Sequence, residues 1–215
     1  YNPVFGTTLN PWDTTRSAGG SSGGAAVSLA LRLQPVADGS DMMGSLRNPA
    51  AWNNVVGFRP TPGRVPAYPA ADVWNTLTVM GPIARTVGDA ALLLSSMAGP
   101  DLRSPISIAE PGDRFRAPLA RDFKGARIAW SRDLGGLPVD SRVAKVLAAQ
   151  RHVFESLGCI VEDAEPDLSG ADEAFHVLRA VSFAERYGKL VAPHRALMKD
   201  TVLWNIEEGL RLTGP

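Results

Sequence analysis

The chain has 215 residues, 45% of them hydrophobic, and its 22 Lys+Arg are balanced by 22 Asp+Glu. With a formal net charge of +0 it has no field to gather a polyanion, which disfavours nucleic acid and an anionic membrane as partners. It contains no apolar run of about 18 residues, and Tyr1-Asn2-Pro3-Val4-Phe5-Gly6 has no basic or apolar signal region. Neither a membrane-spanning helix nor a signal peptide is therefore expected. The opening residue is Tyr1 rather than Met, so the sequence reads as a processed or truncated piece. The single Cys159 excludes an intramolecular disulfide and a cysteine-clustered metal site, and suits a reducing, cytoplasmic setting.

In chain order, the turn-rich Asn10-Pro11-Trp12-Asp13 leads into Gly19-Gly20-Ser21-Ser22-Gly23-Gly24, whose missing Cβ atoms permit tight folding or close approach to a ligand. Residues 25–32 are good helix formers. Residues 34–39 read as a short buried strand, residues 40–45 as the loop it delivers, and residues 46–54 as a short helix with Pro49 in its first turn. Residues 55–59 suggest another strand, closed by Pro60-Thr61-Pro62-Gly63. Thr86-Val87-Gly88-Asp89 is a capping box with Asp in place of Glu, which starts a helix reaching Met97. Residues 126–130, 141–157 and 159–161 form a predicted strand, helix and strand. Val143, Val146, Leu147, Val153, Phe154 and Leu157 lie on one helical face, and Cys159 opens a buried strand. Residues 171–212 are mainly helical in pattern. The predicted class is α/β, and Trp12, Trp52 and Trp74 are expected in the core or a pocket wall.

Residues 1–109 contain no Lys, Glu, His or Cys. Chemistry seated there must use hydroxyls, backbone amides, Asp or Arg, or borrow a base from elsewhere. Ser45 follows a predicted strand and loop and precedes a predicted helix, a placement that suits a nucleophile whose neighbouring N–H groups stabilise developing negative charge. An N-cap at Ser45 and a linker at Gly19 to Gly24 explain the same residues without chemistry. Asp41 and Arg47 are candidates for an ion pair bracing the loop, with recognition of a substrate carboxylate as the alternative for Arg47. A phosphate cradle at the Gly run lacks the Lys and Ser/Thr of a P-loop. His176 and His194 have no metal-ligand spacing and His152 falls off the apolar face, so no metal and no cofactor is expected.

Several ordered blocks together resemble the amidase signature family. They are Asn10-Pro11-Trp12-Asp13, Gly19-Gly20-Ser21-Ser22-Gly23-Gly24-Ala25-Ala26, Gly39-Ser40-Asp41 with Gly44-Ser45-Leu46-Arg47 and Pro49-Ala50-Ala51, Val55-Val56-Gly57-Phe58-Arg59-Pro60-Thr61, and Met80-Gly81-Pro82-Ile83-Ala84-Arg85. The similarity runs from Tyr1 to about Asp101 and more loosely to about Val161. It implies a mixed β-sheet sandwiched between helices and a Ser–cis-Ser–Lys triad, with Ser45 as the acyl-forming nucleophile. Ser21 is the implied bridging serine, reached through a cis Gly20–Ser21 peptide. Amides of Met42, Met43, Gly44 and Ser45 are the implied oxyanion donors, with Gly20, Ser22, Asp41 and Arg47 in support. Met43 stands where the family has a small residue, which implies altered specificity. The family's catalytic Lys lies upstream of the Gly-Ser segment, and no Lys precedes Ser21, so an incomplete core is expected. The organisation expected is one partial domain, 1–101 as signature core and 102–215 as βαβ unit and helical continuation. The implied activity is hydrolysis of a linear carboxylic amide, and the implied partner is a small-molecule amide; a homodimer is one assembly open to the protein, and the sequence does not fix the oligomeric state. Alternatives are the glutaminase subunit of a tRNA-dependent amidotransferase with its partner subunits, and an inactive binding module.

Overall fold

The computed structural model describes residues 4–70 and 72–213. Tyr1-Asn2-Pro3, where the family resemblance begins, Ala71, and Gly214-Pro215 lie outside the described residues. The chain divides into two compact units, Tyr1–Ala117 and Pro118–Pro215.

In the first unit the glycine run opens helix α1 (Gly23–Ala30), followed by β1 (Val36–Asp41), α2 (Arg47–Trp52), β2 (Val56–Gly57), β3 (Val79–Ala84) and α3 (Val87–Met97). The sheet order is β1-β3-β2, with β3 antiparallel to both neighbours. β1 runs two residues beyond its predicted end because Ser40 and Asp41 pair with Met80 and Val79. The central strand carries no strand signal in the sequence, since Gly81 and Pro82 argue against an interior strand. Pro82 has no N–H to give the ladder, but its carbonyl still accepts from Phe58 N (3.0 Å), and the strand is almost wholly buried. α1 ends earlier than predicted, at Ala30, with Arg32 in the left-handed region at φ 60°. Thr86 caps α3 as expected: its Oγ1 accepts from Asp89 N (3.1 Å) and its hydroxyl donates to Asp89 Oδ2 (2.7 Å).

The core of this unit is centred on Leu29, Leu46 and Ile83, all fully buried, with Ala25, Ala37 and Val55 packed around them. Each strand contributes a glycine to the seat of Leu46. A Cβ on Gly39 would lie 2.9 Å from Leu46 Cδ2, one on Gly57 2.5 Å from Leu46 O, and one on Gly81 2.8 Å from Leu46 Cδ1. These approaches are closer than packed atoms tolerate, so the glycines are there for space. Trp12, Trp52 and Trp74 do not join this core, being 64%, 54% and 68% exposed.

The second unit holds β4 (Arg127–Trp130) parallel to β5 (Ile160–Asp163), joined through α4 (Ser141–Ala148) and α5 (Arg151–Ser156), then α6 (Ala171–His194) and α7 (Asp200–Arg211). The predicted βαβ unit is present, but its single helix is divided at Ala149-Gln150. His152 Nδ1 lies 2.7 Å from Ala149 O, the carbonyl that a continuous helix would bond to Val153 N; Val153 N bonds Gln150 O instead (3.0 Å). The predicted apolar face, Val143 through Leu157, is exposed rather than packed. The sheet beside these helices has only two strands, and the face stays exposed next to it. Cys159 is half-buried, and β5 is exposed along most of its length. α6 and α7 pack closely where Gly209 meets Ala180 O, around Leu203 and Ile206. Among the described residues no helix is long and apolar enough to cross a membrane.

Candidate active site

Ser45 lies where β1 hands over to α2. After Asp41 the chain turns through Met42, Met43 and Gly44, and Gly44 takes φ 96°, where an added Cβ would also lie 2.7 Å from Asn48 Nδ2. Only glycine meets both demands. Asn48 N then bonds Gly44 O (2.7 Å), closing a turn around Ser45, and the next residue, Leu46, is locked in the core. Ser45 is half-buried, between a fixed turn on one side and a buried anchor on the other.

Asp41 ties this turn together. Its side chain is 0% exposed. Oδ1 accepts from Gly44 N (2.8 Å), Arg47 Nη2 (3.0 Å) and Arg59 Nη1 (3.2 Å), while Oδ2 accepts from Leu46 N (3.2 Å) and Arg47 Nε (2.9 Å). Burial pushes the Asp41 carboxyl up, but the Arg47 hydrogen bonds, the Gly44 and Leu46 amides and the Arg47 charge outweigh it and hold the group well below the usual carboxylate range. Arg47 therefore braces the loop as a bidentate partner of Asp41. The Gly44 N–H, expected among the oxyanion donors, has Asp41 Oδ1 as its acceptor. Gly44 thus shapes the loop, and the Met42, Met43 and Ser45 amides are left as candidate donors.

The glycine-rich segment lies beside this turn. The Gly20–Ser21 peptide is cis. Ser22 N donates to Ser45 O (3.4 Å), and Ser22 Oγ donates to Ser40 O (3.4 Å), so the two serine-bearing segments are joined along their backbones. Ser21 is exposed. The Asn10-Pro11-Trp12 block is a clamp: Asn10 Nδ2 donates to Trp52 O (2.8 Å) and Trp12 Nε1 to Asn53 O (3.0 Å). Buried Asn53 donates in turn to Ala18 O and Pro49 O, both at 2.7 Å, tying the approach to the glycine run onto α2.

Gly20, Ser21, Ser22, Asp41, Met42, Met43, Gly44, Ser45 and Arg47 thus all belong to one unit and one end of β1. All four lysines, Lys124, Lys145, Lys189 and Lys199, belong to the other unit. Arg59 and Asn53 are contributors that sequence reasoning missed. Their signal is faint: Arg59 is a single charge after the apolar Val55-Val56-Gly57-Phe58, and Asn53 is one of two adjacent asparagines.

This fold and site define an α/β protein whose candidate nucleophile is a serine on a braced turn. Residues 1–209 match the family profile described as Amidase, and the chain belongs to that family. It is 39% identical to an acylamidase of Rhodococcus erythropolis over 215 residues, covering 99% of this chain and 45% of that protein. To a glutamyl-tRNA(Gln) amidotransferase subunit of Ectopseudomonas mendocina it is 39% identical over 175 residues, 81% of this chain and 36% of that protein. A solved bacterial aryl acylamidase of the amidase signature family superposes with a TM-score of 0.86 at 33% identity, over 97% of this chain and 45% of that one. The chain thus spans less than half the length of these relatives.

Proposed function

We propose that the protein carrying this chain hydrolyses a linear carboxylic amide to acid and amine, or ammonia, through an acyl-Ser45 intermediate. The observation that carries this is the Ser22 N to Ser45 O bond, which sets the braced Ser45 turn directly against the cis Gly20–Ser21 segment. Ser45 Oγ attacks the carbonyl carbon as its proton passes to Ser21 and on to a base. The negative charge forming on the carbonyl oxygen is met by loop amides, for which Met42, Met43 and Ser45 are the candidates. The C–N bond then breaks, the departing nitrogen takes a proton, and water repeats the attack on the ester to release the acid. The family's lysine for the base role has no counterpart in residues 1–123, and none of the later lysines is assigned it. Half-exposed Met43, two residues before Ser45, is read as an apolar wall for the acyl group, a reading that favours an apolar acyl or aryl substrate. The two units are read as parts of one amidase domain, and the setting is read as cytoplasmic, with which the single Cys159 is compatible.

The likeness to the amidotransferase protein supports a second reading, a glutaminase that works only with partner subunits. The acylamidase likeness runs over nearly the whole chain and favours hydrolysis by the protein alone. A serine-directed fluorophosphonate followed by peptide mapping tests the nucleophile: an adduct on Ser45, absent from Ser45→Ala, is expected. No adduct, or an adduct on another serine, overturns the assignment. Turnover of a simple anilide without partners separates the hydrolase from glutamine-dependent transfer.

A further inference from the structure

Arg59 follows β2 and reaches across the sheet end from which the Ser45 loop departs. Its Nη1 donates to the Asp41 backbone carbonyl as well as to Asp41 Oδ1 (3.2 Å), and its Nη2 donates to Leu77 O (2.9 Å). Leu77 lies two residues before Val79, the β3 residue paired with Asp41. One planar guanidinium therefore holds both the departure of the loop from β1 and the entry of the chain into β3, with its side chain only 24% exposed.

The bond to the Asp41 carbonyl has the greater consequence. The Asp41–Met42 peptide is trans and planar, so its C=O and N–H point in opposite directions. Holding the carbonyl on Arg59 fixes the plane and directs the Met42 N–H away from Arg59. The Met42 N–H opens the loop that ends at Ser45. The carboxylate bond to the same guanidinium prevents Asp41 from rotating away, and Asp41 in turn holds Gly44 N and Leu46 N on either side of Ser45. A lysine at this position keeps the charge but is a single point of donation, which does not span a carbonyl, a carboxylate and Leu77 O in one plane.

We infer that Arg59 is a positioning residue for amide hydrolysis, orienting the Met42 amide and the Ser45 turn by holding the Asp41–Met42 peptide plane. This rests on the function proposed above, and the test separates the two. The protein carrying this sequence is treated with a fluorophosphonate, and the labelling of Ser45 is resolved into kinact and KI. In Arg59→Lys, kinact falls about 10- to 100-fold, the scale of a small misplacement at a reacting centre. KI stays within about twofold, since binding of the probe is not what is lost. In Arg59→Ala, millimolar guanidinium restores part of kinact and methylammonium does not. A denaturant would not rescue a variant that merely folds poorly, and Arg59→Lys provides the measurement where Arg59→Ala does not fold. Ser45 labelled in the parent with kinact unchanged in Arg59→Lys overturns the role of Arg59 alone, as does a loss confined to KI. Labelling of the parent at a residue other than Ser45 overturns the proposed function itself.

Discussion

Replacing Asp41 by Asn removes one charge and one acceptor while keeping the shape of the side chain. The carboxylate accepts on both oxygens, from Gly44 N, Arg47 Nη2 and Arg59 Nη1 on Oδ1, and from Leu46 N and Arg47 Nε on Oδ2. An asparagine has one oxygen, so whichever way it turns, its NH2 faces at least two donors. The less costly orientation keeps the oxygen towards Gly44 and Arg59. Leu46 N is then left without its acceptor in the core, which costs about 1–3 kcal/mol. Arg47, with a side chain 55% exposed, turns to water, and that lost ion pair contributes only about 0–1 kcal/mol. The expected destabilisation is their sum, about 1–4 kcal/mol. Urea unfolding with m unchanged and a lower midpoint measures it. Asp38→Asn on the same strand, at an exposed position, is the control and is expected within about 0.5 kcal/mol of the parent. An Asp41→Asn loss no larger than that of the control refutes the account of Asp41 as the tie of the Ser45 turn.

Acid follows the same group: because the folded Asp41 carboxyl is held low, its stabilisation is present above the unfolded value of about 3.9 and is lost as pH falls below it towards the folded value. The stability gap between the parent and Asp41→Asn is expected to be flat above about pH 5 and to narrow below about pH 4; a gap that widens on acidification contradicts this. Leu46→Ala empties the seat made by Gly39, Gly57 and Gly81 and is expected to cost about 3–5 kcal/mol and to slow fluorophosphonate labelling of Ser45. A folded variant labelled at the parent rate removes Leu46 as the anchor. Thr86→Ala takes the cap from α3 and is expected to cost about 1 kcal/mol by urea unfolding, with Ser45 labelling unchanged. Altered labelling would tie α3 to the site.

The chain states its short-range chemistry openly. Thr86 and Asp89 read as a cap and form one, because a hydroxyl three residues from an amide needs no other part of the protein to find it. The strand, loop and helix around Ser45 are legible for the same reason, through Gly44, Pro49 and the apolar residues flanking them, and Asp41 with Arg47 reads as a pair six residues apart. β3 is different: Gly81 and Pro82 argue locally against a strand, and the segment is one because β1 and β2 pair with it on both sides and Leu46 needs the space at Gly81. Arg59 reads as an isolated charge, and its partners at Asp41 and Leu77 are both 18 residues away in opposite directions along the chain. The apolar face of α4 and α5 is plain in the sequence, yet it is exposed beside a sheet of only two strands. Caps and turns follow from neighbouring residues, whereas strand partners, the seat of a buried side chain and the reach of a guanidinium depend on segments that meet only when the chain has folded.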